Sequence, residues 1–328
     1  MSKSQSYLYL PLCIIVFCTV FLFGCGPAPK PQKVRIAINP WPGYEFLYLA
    51  AEKGMFVKQG MNVEIVELSS LADVQRVYIQ GRVDGFGSTA IEAVQAAGIT
   101  GHPVKIVLIP DFSFGGDVII ANKSITKVSE LKGKRIGAEV GSLGMFVLHA
   151  ALNKYGLSLD DVNIVNVEQL DARLAMKNNE IDAIVTYPPY SIAMEKGLGL
   201  KSIFDSSEIP GKVIDTLVIR SGLLENEAQW VSDFHAVWYQ ALEYTKTHQQ
   251  EAYAIMAKRE GVSVAEFADA LTGLTIVTAD EQAPLLASKQ LKDNIADVCG
   301  VLKRSKAITF ECSNINQLVQ GYDSSTSK

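Results

Sequence analysis

The stretch KVRIAINPWPG, residues 33–43, decides the fold. It opens with a β-branched run typical of a buried strand and ends in a turn rich in proline and glycine. From there short strands alternate with helices of about ten residues, each stopped near a glycine. The predicted strands are 34–38, 63–68, 83–86 and 104–109, and the predicted helices are 44–53, 71–80 and 89–97. This alternation predicts βαβ units, a parallel sheet and helices on both of its faces.

A second series of the same kind follows. Its predicted strands are 135–138, 162–167 and 181–186, and its predicted helices are 143–155 and 172–178. Residues 33–37 are echoed by 133–137, and residues 81–85 by 179–183, so the two echoes keep nearly the same register. The alternative is chance similarity between two generic α/β units. Either way, the pattern predicts two similar lobes.

Two isolated strand-like segments, 117–121 and 213–219, lie beside the expected boundary between the lobes and are candidates for a two-strand hinge. We assign residues 33–116 and 218–328 to the first lobe and 117–217 to the second. Beyond Ser221 the chain is mainly helical, with apolar residues every three to four positions. This stripe is predicted to be core, and its members are Trp230, Phe234, Val237, Trp238, Ala241 and Leu242.

The N-terminus has the features of an export signal. Lys3 precedes an apolar run over 8–23 that ends in Gly24-Cys25, and this resembles a lipoprotein signal. Residues 1–24 are then removed, Cys25 carries the lipid, and the proline-rich residues 25–32 form a tether outside the cytoplasm. The alternative is an uncleaved membrane helix, since about 16 apolar residues approach the roughly 20 that span a bilayer.

Cysteine usage agrees with export. Cys299 and Cys312 remain in the mature body, and in an oxidising compartment a disulfide between them would contribute on the order of 3 kcal/mol. The alternative is a pair of buried free thiols.

Ordered motifs run through residues 34–220. They are Trp41-Pro42-Gly43-Tyr44, Leu49 to Phe56, Gln59-Gly60, Gly81-x-Val83-Asp84, Leu131 to Gly137, Gly141-Ser142 and Tyr187-Pro188-Pro189-Tyr190. With them the chain resembles the substrate-binding proteins of the nitrate, sulfonate, taurine and thiamine-precursor ABC transporters. The resemblance implies a bilobal periplasmic-binding-protein fold of type II, with two doubly wound α/β lobes, a two-strand hinge and a ligand held in the cleft.

Loops at the carboxyl ends of the predicted strands should line that cleft. They carry small polar residues that either cap helices or bind an anion together with free backbone N–H groups. The candidates are Ser70, Ser88, Thr89, Gly141 and Ser142.

Aromatic residues are frequent in the same loops. They form either the walls of a site for an organic ligand or part of the hydrophobic core. They are Trp41, Tyr44, Phe112, Phe114, Phe146, Tyr187 and Tyr190. Asp111 and Asp117 place carboxylates beside these rings, and the cleft loops contain no Lys or Arg. A zwitterion such as taurine, or a pyrimidine-like heterocycle, fits these charges better than a bare inorganic anion does.

Other classes of function find little support in the 328 residues. A net charge of −5 without a basic aromatic cluster argues against nucleic acid as a partner. The four histidines lack metal-ligand spacing, and we expect no cofactor. The pyrimidine-precursor synthase related to this family depends on a cysteine-rich motif that is missing here. We therefore expect a monomeric binding protein that serves either an ABC permease and ATPase or a membrane sensor.

Overall fold

The computed structural model describes residues 31–98, 104–224, 228–304 and 307–319. The described residues from Lys33 onward form one compact unit. The predicted signal, the lipidation site at Cys25 and nearly all of the tether lie outside the described residues. Within the described part of the chain, no helix combines the length and the apolarity needed to cross a bilayer.

The predicted alternation of strands and helices is confirmed, with ends that shift by a few residues. The strands are β1 (Lys33–Ile38), β2 (Asn62–Glu67), β3 (Gly85–Thr89), β4 (Val104–Leu108), β5 (Asp111–Ser113), β6 (Val118–Ala121), β7 (Arg135–Ala138), β8 (Asn163–Asn166), β9 (Ala183–Thr186), β10 (Lys201–Asp205), β11 (Asp215–Arg220) and β12 (Leu274–Ile276). The helices are α1 (Glu45–Glu52), α2 (Met55–Lys58), α3 (Leu71–Ile79), α4 (Ala90–Ala97), α5 (Leu143–Lys154), α6 (Gln169–Lys177), α7 (Tyr190–Leu198), α8 (Ser221–Leu224), α9 (Ala228–Thr247), α10 (Gln249–Glu260), α11 (Val264–Leu271), α12 (Ala279–Ala287) and α13 (Lys289–Arg304).

Two five-stranded sheets form the centres of two lobes. The first sheet has the order β2-β1-β3-β11-β4, and the second has the order β10-β6-β9-β7-β8. In each sheet the strands of the βαβ units pair in parallel, β1 with β2 and β3 in one and β7 with β8 and β9 in the other. The expected α/β lobes are therefore present, although each sheet also contains antiparallel strands.

The echo between the two series extends to hydrogen bonds. In the first lobe the Arg35 backbone N–H donates to Asp84 Oδ2 at 2.9 Å, and the Asp84 N–H donates to the Arg35 carbonyl at 2.8 Å. In the second lobe the Arg135 N–H donates to Asp182 Oδ2 at 2.8 Å, and the Asp182 N–H donates to the Arg135 carbonyl at 2.8 Å. The aspartate thus fastens the turn before the third strand to the first strand in both lobes.

The two segments predicted as a hinge begin at the crossings between the lobes, but most of each segment is a strand inside a sheet. β6 runs antiparallel between β9 and β10 inside the second sheet, and β11 runs antiparallel between β3 and β4 inside the first. The chain crosses between the lobes just before each of these strands. There Phe112 and Ile214 form an antiparallel bridge, and the Ser113 N–H donates to the Val213 carbonyl at 3.2 Å. An isolated apolar strand looks the same in sequence at a hinge or at the middle of a sheet, which explains the difference.

The predicted helical stripe packs on the first lobe as core. Phe234 and Trp238 of α9 are fully buried, and their rings contact Phe56 at 5.7 Å and Phe46 at 5.6 Å between centroids. Burial of two large rings provides several kcal/mol of stabilisation. This helix therefore stabilises the first lobe.

Cys299 and Cys312 form a disulfide that joins α13 to the last described helical turn, Cys312–Val319. We expect the double variant with Cys299→Ser and Cys312→Ser to lose about 3 kcal/mol of unfolding free energy, because the unfolded chain is no longer restrained. Urea unfolding of the oxidised wild type and of the variant measures this loss. Equal midpoints would contradict a stabilising role for the bond.

Candidate functional site

A cavity lies between the lobes where loops leave the carboxyl ends of the strands. Its lining combines residues from both lobes and from the two crossings between them. The lining residues are Asn39, Trp41, Tyr44, Leu71, Asp117, Leu143, Tyr187 and Asp215. The cavity measures about 10 Å³, close to the smallest space that holds one water molecule. A larger solute therefore enters only if the lobes move apart.

Three aromatic rings form the walls of this cavity. Trp41 of the first lobe meets Tyr187 of the second edge to face, with centroids 6.0 Å apart. Tyr44 is fully buried, and its hydroxyl lies 2.7 Å from both the Ser88 carbonyl and Asp215 Oδ1. Contacts of this kind hold flat rings at fixed angles on both sides of the cleft. They suit a planar or compact organic solute.

The other aromatic candidates lie away from the lining. Phe112 is a half-buried residue of β5 that packs on the core, and Phe146 is buried in α5 among core residues. The ring of Phe114 is 51% exposed. Tyr190 contacts Tyr187 edge to face at 5.7 Å, so it supports the wall from behind.

Two buried aspartates, Asp117 and Asp215, line the cavity, and a third, Asp111, contacts its Trp41 wall. The indole N–H of Trp41 faces both carboxylate oxygens of Asp111 at 3.4 Å, and Tyr44 donates to Asp215. Oδ2 of Asp117 and Oδ2 of Asp215 are buried and meet no N–H or hydroxyl donor within the described residues. A buried carboxylate oxygen without a donor is costly. Asp117 Oδ2 is therefore a free acceptor of the site, whereas the Asp215 carboxyl also shares a hydrogen bond with the Asp111 carboxyl.

Burial changes the acidity of all three carboxyls. It raises the pKa of Asp111 to about 8 and the pKa of Asp117 to about 7. Burial also raises the pKa of Asp215 well above its usual range, and the nearby charges of Asp111 and Asp117 add to that effect. None of the eight lining residues is basic. A positively charged or N–H-rich group is the partner that would restore these carboxylates to their ionised form.

The small polar candidates are engaged within the protein. Ser70 caps α3 by accepting the Asp73 N–H at 3.2 Å, and Thr89 caps α4. Ser88 shares a hydrogen bond of 2.7 Å with Thr216, a neighbour on β11. For Ser70 and Thr89, the geometry supports a role in helix capping more than a role in anion binding.

Gly141 and Ser142 precede α5 in the second lobe. Gly141 has a φ of +88°, a conformation that favours glycine, and it positions Ser142 at the start of the helix. The Ser142 hydroxyl donates to Glu92 of the first lobe at 2.8 Å. This contact crosses the cleft.

The candidates chosen from sequence left out four lining residues, Asn39, Asp215, Leu71 and Leu143. Asp215 carries a signal that could have found it, since it is a lone carboxylate in the apolar run Val213 to Ile219. Leu71 and Leu143 are first residues of helices, and only the facing of the two lobes brings them together. Among the described residues, no group of three or more His, Cys, Asp or Glu is arranged to hold a metal ion.

Asp117 gives stability a pH dependence whose sign is opposite to that of a salt-bridged carboxylate. The pKa of Asp117 is about 7 in the folded protein and near 4 in an unfolded chain. The stability that protonated Asp117 contributes to the folded state is therefore complete below about pH 4 and is lost as the pH rises through 7. Between pH 5 and pH 8 the thermal midpoint of Asp117→Asn should fall less steeply than that of wild type. Asp297→Asn changes an exposed carboxylate and should keep the wild-type slope. Identical slopes for all three proteins would contradict the burial effect.

The two α/β lobes and the cleft between them define the periplasmic-binding-protein fold. The structure of the aliphatic sulphonate binding protein SsuA from Escherichia coli superposes with a TM-score of 0.73 at 19% identity, covering 88% of this chain and 97% of that one. A family model described as NMT1/THI5 like matches residues 41–252. The chain belongs to this family.

Two sequence relatives illustrate its range. The taurine-binding periplasmic protein of E. coli strain K12 is 23% identical over 300 residues, which cover 88% of this chain and 92% of the relative. The 4-amino-5-hydroxymethyl-2-methylpyrimidine phosphate synthase THI11 of Saccharomyces cerevisiae is 30% identical over 156 residues, which cover 46% of this chain and 45% of the relative. The relative that matches nearly full length is thus a binding protein, while the synthase matches less than half.

Proposed function

We propose that this chain is the extracytoplasmic solute-binding component of an ABC importer and that its solute is a small organic cation or a heterocycle rich in N–H donors. The observation that carries the proposal is the set of buried carboxyls at Asp111, Asp117 and Asp215, enclosed by aromatic walls without a basic side chain. Among these three residues a sulfonate group would meet no positive charge, and above their raised pKa values it would meet carboxylates. The local charges therefore favour the pyrimidine-like ligand of the sequence hypothesis over the sulfonate.

The way the solute is captured follows from the cavity. Because about 10 Å³ holds little more than a water molecule, binding requires opening and then closure around the solute. Trp41 and Tyr187, rings on the two lobes, would close on the faces of the solute, while carboxylate oxygens of Asp117 and Asp215 would accept its N–H donors. Binding is then reversible, with no bond made or broken.

The remaining parts of the proposal concern its setting. The protein would be a monomer with a lipid anchor at Cys25. Its first lobe would comprise residues 33–116 and 218–328, and its second lobe residues 117–217. Such a protein can deliver its solute to a permease and ATPase. A sensory lipoprotein with the same cleft would bind the same solutes. A neighbouring permease gene supports transport, whereas a neighbouring sensor kinase gene supports sensing.

A thermal-shift screen tests the proposed ligand class. At pH 8, aminopyrimidines and alkylammonium ions should raise the thermal midpoint, since a ligand at 100 times its dissociation constant stabilises by about 2.7 kcal/mol. Taurine should act weakly and methanesulfonate not at all. Stabilisation by methanesulfonate alone would overturn the proposal. Mass spectrometry of the recovered solute should show no chemical change, in contrast to a synthase.

A further inference from the structure

Glu92 belongs to two structural elements at once. Within the first lobe it is the third residue of α4, and its Oε2 accepts the Thr89 N–H at 2.9 Å and the Thr89 hydroxyl at 2.5 Å. These bonds form a capping box that starts the helix. One oxygen of the carboxylate is therefore used by its own lobe.

The other oxygen crosses the cleft. Oε1 of Glu92 accepts the Ser142 hydroxyl at 2.8 Å and the Leu143 N–H at 2.9 Å, both at the start of α5 in the second lobe. Glu92 is fully buried, and the exposed fractions of Ser142 and Leu143 are 3% and 4%. Leu143 also lines the cavity. The contact is therefore buried beside the cavity.

The donors at the start of α5 are those that an anion would use. The first turn of a helix presents free N–H groups and the positive end of the helix dipole, and a carboxylate there is stabilised. Charge-assisted bonds of this kind are stronger than those between neutral groups. Glu92 supplies that anion from within the chain, so an anionic solute group has to displace it.

We propose that Glu92 is an internal substitute for an anionic ligand group, which latches the two lobes together and excludes sulfonates and carboxylates from the start of α5. The inference rests on the proposed function in one respect, namely that the cleft opens and closes around a solute. The contact made by Glu92 favours closure of the lobes at the start of α5, where the solute supplies no negative charge. Glu92 thereby becomes a determinant of specificity as well as of closure.

Two other contacts across the cleft are less buried. The Tyr190 hydroxyl donates to the Ser69 carbonyl at 2.5 Å, and Lys196 pairs with Glu266 at 2.5 Å with a lysine side chain that is 66% exposed. An exposed pair of this kind contributes little. The buried, doubly donated carboxylate of Glu92 is the stronger tie between the lobes.

Hydrogen exchange at the Leu143 amide, measured without any solute, tests the latch. In Glu92→Gln the side chain keeps one acceptor oxygen but gains an NH₂ group. This NH₂ group has to face either the donors of Thr89 or the donors of Ser142 and Leu143, and it cannot accept a hydrogen bond from them. We expect the Leu143 amide to exchange at least about tenfold faster than in wild type, because bonds to a charged acceptor are lost. Small-angle scattering should show a larger radius of gyration.

Two further variants keep this test interpretable. Glu281→Gln makes the same change in the capping box of Thr278 at the start of α12, where the carboxylate accepts the Thr278 N–H at 2.8 Å and contacts a single lobe. It should leave Leu143 exchange as in wild type. Ser142→Ala removes one donor from the second lobe without touching a charge, and it should speed exchange to a smaller extent. Unchanged Leu143 exchange in both Glu92→Gln and Ser142→Ala would overturn the latch.

Methanesulfonate tests the exclusion of anions. Added to Glu92→Ala, it should slow the exchange of the Leu143 amide again, because the freed donors accept an external anion. Added to wild type, it should have no effect on this amide. An equal response of the two proteins, including none from either, would contradict the exclusion. Failure of amines to bind would count against the proposed function alone, since the latch is measured without them.

Discussion

Asp117→Asn is expected to weaken the binding of an organic cation by about 30-fold or more, and Asp215→Asn by at least as much. Both side chains offer a buried oxygen that meets no N–H or hydroxyl donor among the described residues. Loss of one partner of a buried charged pair typically costs about 2–5 kcal/mol, and a tenfold change in affinity corresponds to about 1.4 kcal/mol. Asparagine keeps the shape of the side chain, so the loss reports on charge.

The measurement is calorimetry at pH 8 with benzylammonium as the probe. Asp297→Asn, on the surface beside Lys212, is the matched control and should bind as wild type does. Asp117→Asn should also be at least as stable as wild type at this pH, because it removes a carboxyl that burial holds at a raised pKa. Undiminished affinity in both cleft variants would show that the carboxylates do not contact the solute.

Arg259→Leu is expected to lower the unfolding free energy by about 3–5 kcal/mol, the range measured when one member of a buried ion pair is removed. The side chain of Arg259 is only 4% exposed and pairs with Glu45, which is fully buried, and with Glu67 at 3.1 Å. Burial raises the pKa of Glu45 to about 8, and Arg259 opposes that rise. Without the guanidinium, Glu45 has to stay protonated or remain as an unpaired charge.

Arg259 also connects stability to the site. Its guanidinium donates to the carbonyls of Ile38 and Asn39 at 3.5 Å, where the loop that carries Trp41 leaves β1. We therefore expect weaker solute binding as well as lower stability in Arg259→Leu.

Urea unfolding of matched variants separates the causes. Lys246→Ala removes an exposed lysine 3.6 Å from Glu243 and should cost less than about 1 kcal/mol. Glu45→Gln introduced into Arg259→Leu should recover part of the lost stability, because the unpaired charge is gone. A loss in Arg259→Leu no larger than that in Lys246→Ala would contradict the importance of this buried pair.

The part of the fold that could be predicted from sequence is the part fixed locally. Strand and helix alternation, the stops at glycines and the paired echo depend on neighbouring residues. The echo includes a turn in which Gly81 has a φ of +67° and Asn179 a φ of +56°, both residue types that accept this conformation. The aspartates at 84 and 182 then make matching bonds to the first strand of each lobe.

What escaped prediction depends on contacts distant in sequence. The place of β11 inside the first sheet follows from a chain that returns more than a hundred residues after β4, and propensity alone carries no such information. The sequence pattern around Glu92 indicates only an ordinary capping residue of α4. Its second role appears only when the start of α5, some fifty residues later, is placed against it.

The candidate site divides in the same way. Trp41, Tyr44, Asp117 and Tyr187 were predicted because aromatic and acidic residues cluster in loops after strands, and all four line the cavity. The serine and threonine candidates share their sequence pattern with helix caps, and the pattern cannot separate the two uses.

The most direct test of a cleft built for positive charge is a matched pair of probes, benzylammonium and benzenesulfonate, titrated calorimetrically into wild type at pH 6 and pH 8. We expect only the ammonium to bind, more tightly at pH 8, and with release of protons as the carboxyls near pKa 7 and 8 become ionised. Tighter binding of the sulfonate, or ammonium binding that is independent of pH and releases no protons, would contradict this expectation.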